Sequence, residues 1–520
     1  MNLRRRIVAA IAVLLAAPAA AFGQADPRPA LRIAVQRNPP LFDPAYSVSN
    51  VAWRVLHNVF DTLIGTDFAS GFRLVPGLAT AWRRIDDRTL EVTLRPGVRF
   101  HDGTEMTVDD VVFTFGPERM GAPSAPLWGQ TRPFLGGLER VEAVDGSTVR
   151  FVAARPDPLL EQRLATFPAQ IVSRRAFVAA ADFQAWGRRP VGTGPYRVDD
   201  SRDNDYVALA AHDGWWGGRP TARSVRFEAA PEVAARVTGL MTGRYQIVTD
   251  LPADQLDAIA AVPALEVAGG AIANNRVVVF DRSNPVLRDP RVRQALSLAV
   301  DRKLLVETLW GGRIGVPQGN QNPAFGPLFI AEWPAPAYDP DRARALLREA
   351  GYAGQAIEYR LNNNYYAAEI ATAEVLVEMW KAVGLVVVPR IKENWTQILE
   401  PAGRGMRNWS NAMVYPDPAG MAWRLYGPGS PVRRGAPEWA NAEFDRLGLV
   451  LESTVDVARR RAAWRRMLEI LDRDDPPAMV LHELAIFYGK RRDVAWRALP
   501  VELMDLRPAN LGFGARPPAP

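Results

Sequence analysis

The sequence predicts an α/β fold (mixed α+β) of about three domains or two large lobes, on three observations. Short strand-like runs alternate with amphipathic helices along the chain, with no internal repeat. The stretch "YRLNNNYYAAEIATAEVLVEMWKAVGLVVVPRI", from Tyr359, reads as strand, helix and strand, a βαβ unit that implies a parallel pair. The 520 residues are 48% hydrophobic and 23% charged, an ordinary globular balance, and at ~150 residues per domain that length carries several domains.

The elements follow in order. Arg4, Arg5 and Arg6 precede an apolar run from Ile7 to Ala21 and small residues around Gly23 and Ala25, the pattern of a secretory signal peptide over residues 1–25. The run is about 15 residues, short of the ~20 that span a bilayer, so a soluble exported protein is expected. In "RTLEVTLRPGVRF" the apolar residues alternate from Leu90 to Leu94, and Pro96-Gly97 offers a turn before Val98 and Phe100, a hairpin signal. "TVDDVVFTF" presents Thr107 as N-cap with Asp110 three positions on. "RRPVGTGPYRV", residues 188–198, fails as a phosphate loop: Pro195 removes an N–H where donors are needed, and the chain continues as strand.

Two helices open on the same device, Asp289-Pro290 and Asp339-Pro340, with aspartate as cap and proline at the first helical position; Gly351 stops the second. The unit from Tyr359 places a helix to about Lys381, Gly384 as C-cap and a strand over 385–388. The tail after Pro508, rich in proline and glycine, is expected to carry little structure.

The chain has no cysteine, which excludes disulfides, thiolate zinc sites, iron–sulfur clusters and a lipid-bearing cysteine at the cleavage site. Its net charge of +6 falls to +3 once the three leader arginines leave, too little and too dispersed for nucleic acid. His57, His101, His212 and His482 form no H-x-x-x-H element and are expected to be structural. Asp472, Asp474, Asp475 and Glu483 resemble part of an EF-hand, but Pro477 stands where that loop needs glycine. No G-x-S-x-G elbow is present. No catalytic residue, metal or cofactor is expected, and the arginine runs "ARRRAAWRR" and "DRARALLREAG" read as solvated helix faces.

Several segments, in order, resemble the peptide/nickel type of extracellular solute-binding proteins of ATP-driven importers, the dipeptide- and oligopeptide-binding family. They include "LFDPAYSVSNVAWRVLHNVFDTLIGTD", "LVPGLATAWRRIDDRTLEVTLRPGVRFHDGTEMTVDDVVFTF", "RPVGTGPYRV", "NPVLRDPRVRQALSLAVDRKLLVETLWGG", "YDPDRARALLREAGY" and "VYPDPAG". The resemblance implies a two-lobed periplasmic clamp: lobe I from 26–48, 185–270 and 489–520, an inserted extra domain over 49–184, and lobe II over 271–488. It implies a monomer that encloses a small solute, peptide or peptide-like, and hands it to ABC permease subunits in the inner membrane.

Peptide-binding relatives hold the ligand ammonium with an aspartate just before the Tyr-x-Asp/Glu-Pro element; here "MVYPDP" puts Val414 there. An apolar side chain cannot pair with an ammonium, and burying one unpaired costs several kcal/mol. The arginine that meets a peptide carboxylate falls near residues 362–364, with Arg360 close by. The expected ligand-binding set is therefore Trp409, Tyr415, Asp417, Asn362, Asn364 and Arg360. The ligand stays open between a peptide and a sugar, opine or metal chelate. An exported hydrolase and a chaperone-like binder of unfolded chains are the rivals from other classes.

Overall fold

Two strands of unusual length organise the molecule. In this computed structural model, which describes residues 26–362, 365–430, 432–433 and 435–514, Leu265–Phe280 runs for 16 residues and Ala478–Arg491 for 14. They pair antiparallel at the centre of a ten-stranded sheet. On one side follow Met406–Ala412, Ile357–Asn362 and Val387–Lys392; on the other Ile247–Val248, Ala30–Val35, Ser224–Ala229, Tyr206–Ala211 and Tyr196–Arg202. Asn274 to Phe280 of the first long strand pair with Met406–Ala412, while Gly489 and Lys490 of the second pair with Ile247–Val248. Each long strand thus belongs to one half of the sheet at one end and to the other half at the other. Register shifts fall between Ala271 and Asn275 and between Arg276 and Val277, bulges that re-aim a strand where the halves meet. Gly269 needs to be glycine there: its φ is +90°, and a Cβ would lie 2.1 Å from the Ile486 carbonyl oxygen.

The expected βαβ unit forms, with Ile357–Asn362 parallel to Val387–Lys392 and the helix Glu369–Ala382 between them. Both aspartate-proline devices cap as expected: Asp289 accepts from Arg291 N ahead of Pro290–Leu298, and Asp339 from Arg342 N ahead of Pro340–Glu349. Thr107 and Asp110 open the helix Val108–Thr114, Thr107 N donating to the Asp110 carboxylate at 3.0 Å.

A separate four-stranded antiparallel sheet, Ala79–Asp86, Thr89–Leu94, Thr148–Ala153 and Leu138–Ala143 in spatial order, has its own core of residues between Ala45 and Ile171. Here the hairpin expectation is corrected. Thr89–Leu94 pairs with Ala79–Asp86 and Thr148–Ala153, and Val98 and Phe100 bury in the core without forming a strand. The helix Asn50–Leu56 was placed with the inserted domain by sequence, yet its Ala52, Val55 and Leu56 pack in the core that holds Leu31 and Ile33 of Ala30–Val35. The tail expectation is also corrected: Leu511–Phe513 pairs with Val494–Trp496. Residues 1–25, the expected signal peptide, and 515–520 lie outside the described residues. Among the described residues no helix is long and apolar enough to cross a membrane.

The loop "GTG" is a close-approach turn. Gly194 N donates to Val59 O and Tyr196 N to Asn58 O, both at 3.0 Å, and a Cβ at Gly192 would sit 2.3 Å from Val59 O. Folding gathers two of the scattered histidines around it: the rings of His101 and His212 lie 5.1 Å apart. Each ring presents a nitrogen to Gly194 O, at 3.1 and 3.2 Å.

Candidate functional site

Where parallel strands end, a crevice opens. Ala30–Val35, Ser224–Ala229 and Ile247–Val248 are parallel or joined through one another. The residues that follow them, Gln36–Pro40, Pro231–Val233, Asp250 and Pro252, line a cavity of about 720 Å³ closed on its far side by Tyr366–Ala368 of the opposite half. Arg37 reaches across it, its guanidinium 5.4 Å from the Tyr365 ring centre.

A second cavity of about 460 Å³ draws on more of the chain. Trp53, His57 and Phe60–Thr62 supply one wall, Phe167 and Trp215–Gly217 another, Met413 and Val414 a third, and the segment from Arg497 to Asn510 the last. Its size suits a small solute, and its apolar walls with a few fixed polar groups are the usual make-up of a ligand site. Asp61 anchors the floor: its Oδ2 accepts from Trp215 Nε1, Trp216 Nε1 and Thr193 Oγ1, at 3.1, 2.9 and 3.1 Å, and its Oδ1 from Arg507 at 2.9 Å. Arg507 also contacts Asp505 at 3.4 Å and the ring of His57, whose pKa burial and the neighbouring guanidinium hold well below the usual histidine range. Arg497 lines the same cavity, exposed and with no ion pair among the described residues.

Among buried polar atoms without a hydrogen-bond partner in the protein are Trp53 Nε1 in the cavity wall and, on the strands of the large sheet, both amide atoms of Asn411, Nδ2 of its cross-strand neighbour Asn275, and both amide atoms of Asn362. Buried polar atoms are normally paired, so these groups are available to a solute or water.

Of the expected site residues, the five described line neither cavity. Arg360 is structural: Nε meets Glu358 at 2.5 Å, and the remaining nitrogens donate to the carbonyls of Gln397, Ile398, Glu400 and Ala402. Asp417 is consumed twice, by Arg460 Nη2 at 2.9 and 2.8 Å and as the cap that accepts from Ala419 N at 2.8 Å. Arg460, read as part of a solvated helix face, is 7% exposed for this reason. Trp409 is half-buried between Arg407, 4.3 Å from its ring, and the Trp395 ring at 4.8 Å. Tyr415 is buried, with its hydroxyl accepting from Arg163 Nη1 at 3.3 Å. Asn362 keeps an unpaired amide at the end of its strand, and Asn364 lies outside the described residues. The EF-hand-like carboxylates go to four places: Asp472 to Asn320 and Trp333, Asp474 to Arg466, Asp475 to Arg293 and Arg282, and Glu483 to Gly315 N. Sequence reasoning missed Arg497, Glu502 and Arg507, which sit in an irregular segment with no periodicity to mark them.

Two halves joined by paired long strands, an inserted sheet domain and cavities where the halves meet define a two-lobed binding protein. The family described as bacterial extracellular solute-binding proteins, family 5 (middle region), matches residues 73–431. The chain belongs to this family and is a solute-binding component of the ABC-importer type. It is 25% identical over 486 residues to the dipeptide-binding protein of Escherichia coli strain K12, covering 88% of this chain and 89% of that one. Two solved structures share the fold. The periplasmic binding protein DppA of Helicobacter pylori, in complex with the peptide STSA, superposes with a TM-score of 0.83 at 18% identity, over 93% of this chain and 98% of the other. AgaA of A. tumefaciens R10, in complex with agropinic acid, gives 0.79 at 22% identity, over 91% and 95%.

Proposed function

We propose that this protein works in the bacterial periplasm as a monomer, enclosing a peptide or peptide-like solute between its lobes and passing it unchanged to the permease of an ATP-driven importer. The observation that carries this is the 460 Å³ cavity, walled by all three parts of the fold, with Val414 in one wall. The E. coli relative is named for dipeptides and the H. pylori structure holds a peptide, which supports the ligand class. Ligand contacts to both lobes would favour the closed state, the form a permease recognises. A second reading, a non-peptide solute such as an opine, is favoured by the apolar Val414 and by the agropinic acid held in AgaA. Native mass spectrometry of the purified mature chain, followed by thermal shift with dipeptides, opines, sugars and metal chelates, tests the proposal. One saturable solute that raises the melting temperature and is recovered intact supports it; conversion of that solute into product refutes it.

A further inference from the structure

We propose that Glu502 is the carboxylate that receives a cationic amine of the bound solute, taking from the C-terminal segment the role that Val414 cannot perform. This rests on the proposed capture of a peptide-like solute in the same cavity.

The segment is held on both sides of Glu502. Ala273 N donates to Pro500 O at 2.9 Å, Asn58 Nδ2 to Met504 O at 2.8 Å, and Leu506 N to Asn58 Oδ1 at 2.9 Å. A loop pinned between a lobe-crossing strand and the end of a helix presents its side chain in one place. That side chain lines the cavity together with Val414.

Charge bookkeeping singles it out. Four carboxylates line the cavity. Asp61 and Asp505 share Arg507 at 2.9 and 3.4 Å, and Asp67 pairs with Arg73 at 3.3 Å. Glu502 is in no ion pair among the described residues, although it is only 3% exposed. Its one side-chain donor is Asn274 Nδ2, at 2.5 Å. The nearby guanidiniums reach Glu502 only through space: Arg54 is paired with Asp250 at 3.0 Å, and Arg424 donates to the carbonyls of Gly420 and Ala412.

A buried carboxylate with no cation in direct contact is a standing cost to the free protein, because Asn274 and the more distant Arg424 and Arg54 offset its desolvation only in part. Burial accordingly pushes the Glu502 carboxyl above its ordinary range. A residue purely structural in role would be cheaper as glutamine, which keeps an acceptor for Asn274. An ammonium entering beside Val414 removes that cost, and Val414 supplies an apolar wall for the adjoining side chain.

Calorimetry with the dipeptide Met-Leu and with N-acetyl-Met-Leu on the full mature chain tests this. Wild type is expected to bind Met-Leu about 10- to 100-fold more tightly than its acetylated form, the range of one charge-assisted hydrogen bond. Glu502→Gln is expected to abolish that preference, leave affinity for N-acetyl-Met-Leu within about threefold, and melt no lower than wild type without ligand. Glu502→Gln combined with Val414→Asp should restore the preference. If the preference survives in Glu502→Gln, or if both probes weaken equally, the assignment to Glu502 is overturned while peptide capture stands. If wild type binds neither probe, peptide capture itself falls, and the assignment with it.

Discussion

Arg163 joins the inserted domain to the second lobe, and weakening that join without disturbing either part should loosen ligand binding. The guanidinium, 2% exposed, donates from Nε to Asp157 at 2.7 Å and from Nη1 to Phe134 O at 3.2 Å within its own domain. Across the gap it donates to Tyr415 Oη at 3.3 Å and, through Nη2, to Glu452 Oε1 at 2.9 Å. Gly136 admits it, since a Cβ there would lie 2.1 Å from the guanidinium carbon. Glu452→Gln keeps one acceptor oxygen for Arg163 and leaves the Asp157 pair intact, so across the lobes the charge-assisted component is what is lost; the bond that Glu452 Oε2 accepts from Trp423 Nε1 at 3.2 Å is lost within the second lobe and is read in the ligand-free stability. That component is worth about 1–2 kcal/mol for a partly buried pair. Because it exists only when the lobes meet, the loss shifts the closed-to-open ratio and raises the apparent Kd by about 5- to 30-fold. Titration calorimetry with the co-purified solute measures the Kd, and urea unfolding of the ligand-free protein measures stability. An unchanged Kd, or a loss seen entirely as instability of the ligand-free protein, would refute the latch.

Other expectations concern residues whose roles the structure reassigns. Asp417→Ala strands the Arg460 guanidinium and should cost about 3–5 kcal/mol in urea unfolding, much of it regained by the double change Asp417→Ala with Arg460→Met; a stable Asp417→Ala protein that merely loses ligand would restore Asp417 as an anchor. Gly194→Ala would put a Cβ 2.5 Å from the Val59 carbonyl carbon and 2.7 Å from Asn58 O. Backbone cannot yield there as a side chain would, so a loss of at least about 1–3 kcal/mol is expected by thermal melting. His482, 2% exposed, has its pKa lowered by burial to about 4. The unfolded chain then binds the extra proton below the ordinary histidine pKa, so stability present at pH 7 falls on acidification, by about 2 kcal/mol at pH 5. Asp472, raised by burial to about 6, works the other way: its contribution is full below the ordinary aspartate pKa and is lost as pH rises through about 6. Replacing His482 by glutamine should flatten the acid limb of a stability–pH curve, and an unaltered limb would show that His482 does not govern it.

What the sequence disclosed and what it hid divide along a physical line. Caps such as Asp289 and Asp339, the βαβ unit and the stop at Gly351 are set by neighbours a few residues away, and all appear as expected. Strand partnership is not local, which is why Thr89–Leu94 found Thr148–Ala153 instead of the residues just beyond Pro96-Gly97. Charged residues were the hardest to place. Asp417 and Arg360 carry the chemistry of ligand anchors, but Arg460 lies 43 positions from Asp417, and four distant carbonyls surround Arg360. Glu502 shows the converse. In "LPVELMDLRP" nothing local marks it, and only the approach of Asn58, Ala273 and Asn274 from far along the chain makes it a buried, unpaired carboxylate.

Closure of one lobe on the other around a solute is the core of this account, and the absence of cysteine makes it directly measurable. Asp199→Cys in the strand Tyr196–Arg202 and Glu378→Cys in the helix Glu369–Ala382 place exposed dyes on opposite halves. Single-molecule energy transfer should show ligand-free protein exchanging between two separations, with the shorter one taking over as the co-purified solute saturates. A single separation, unmoved at saturating solute, would contradict the clamp.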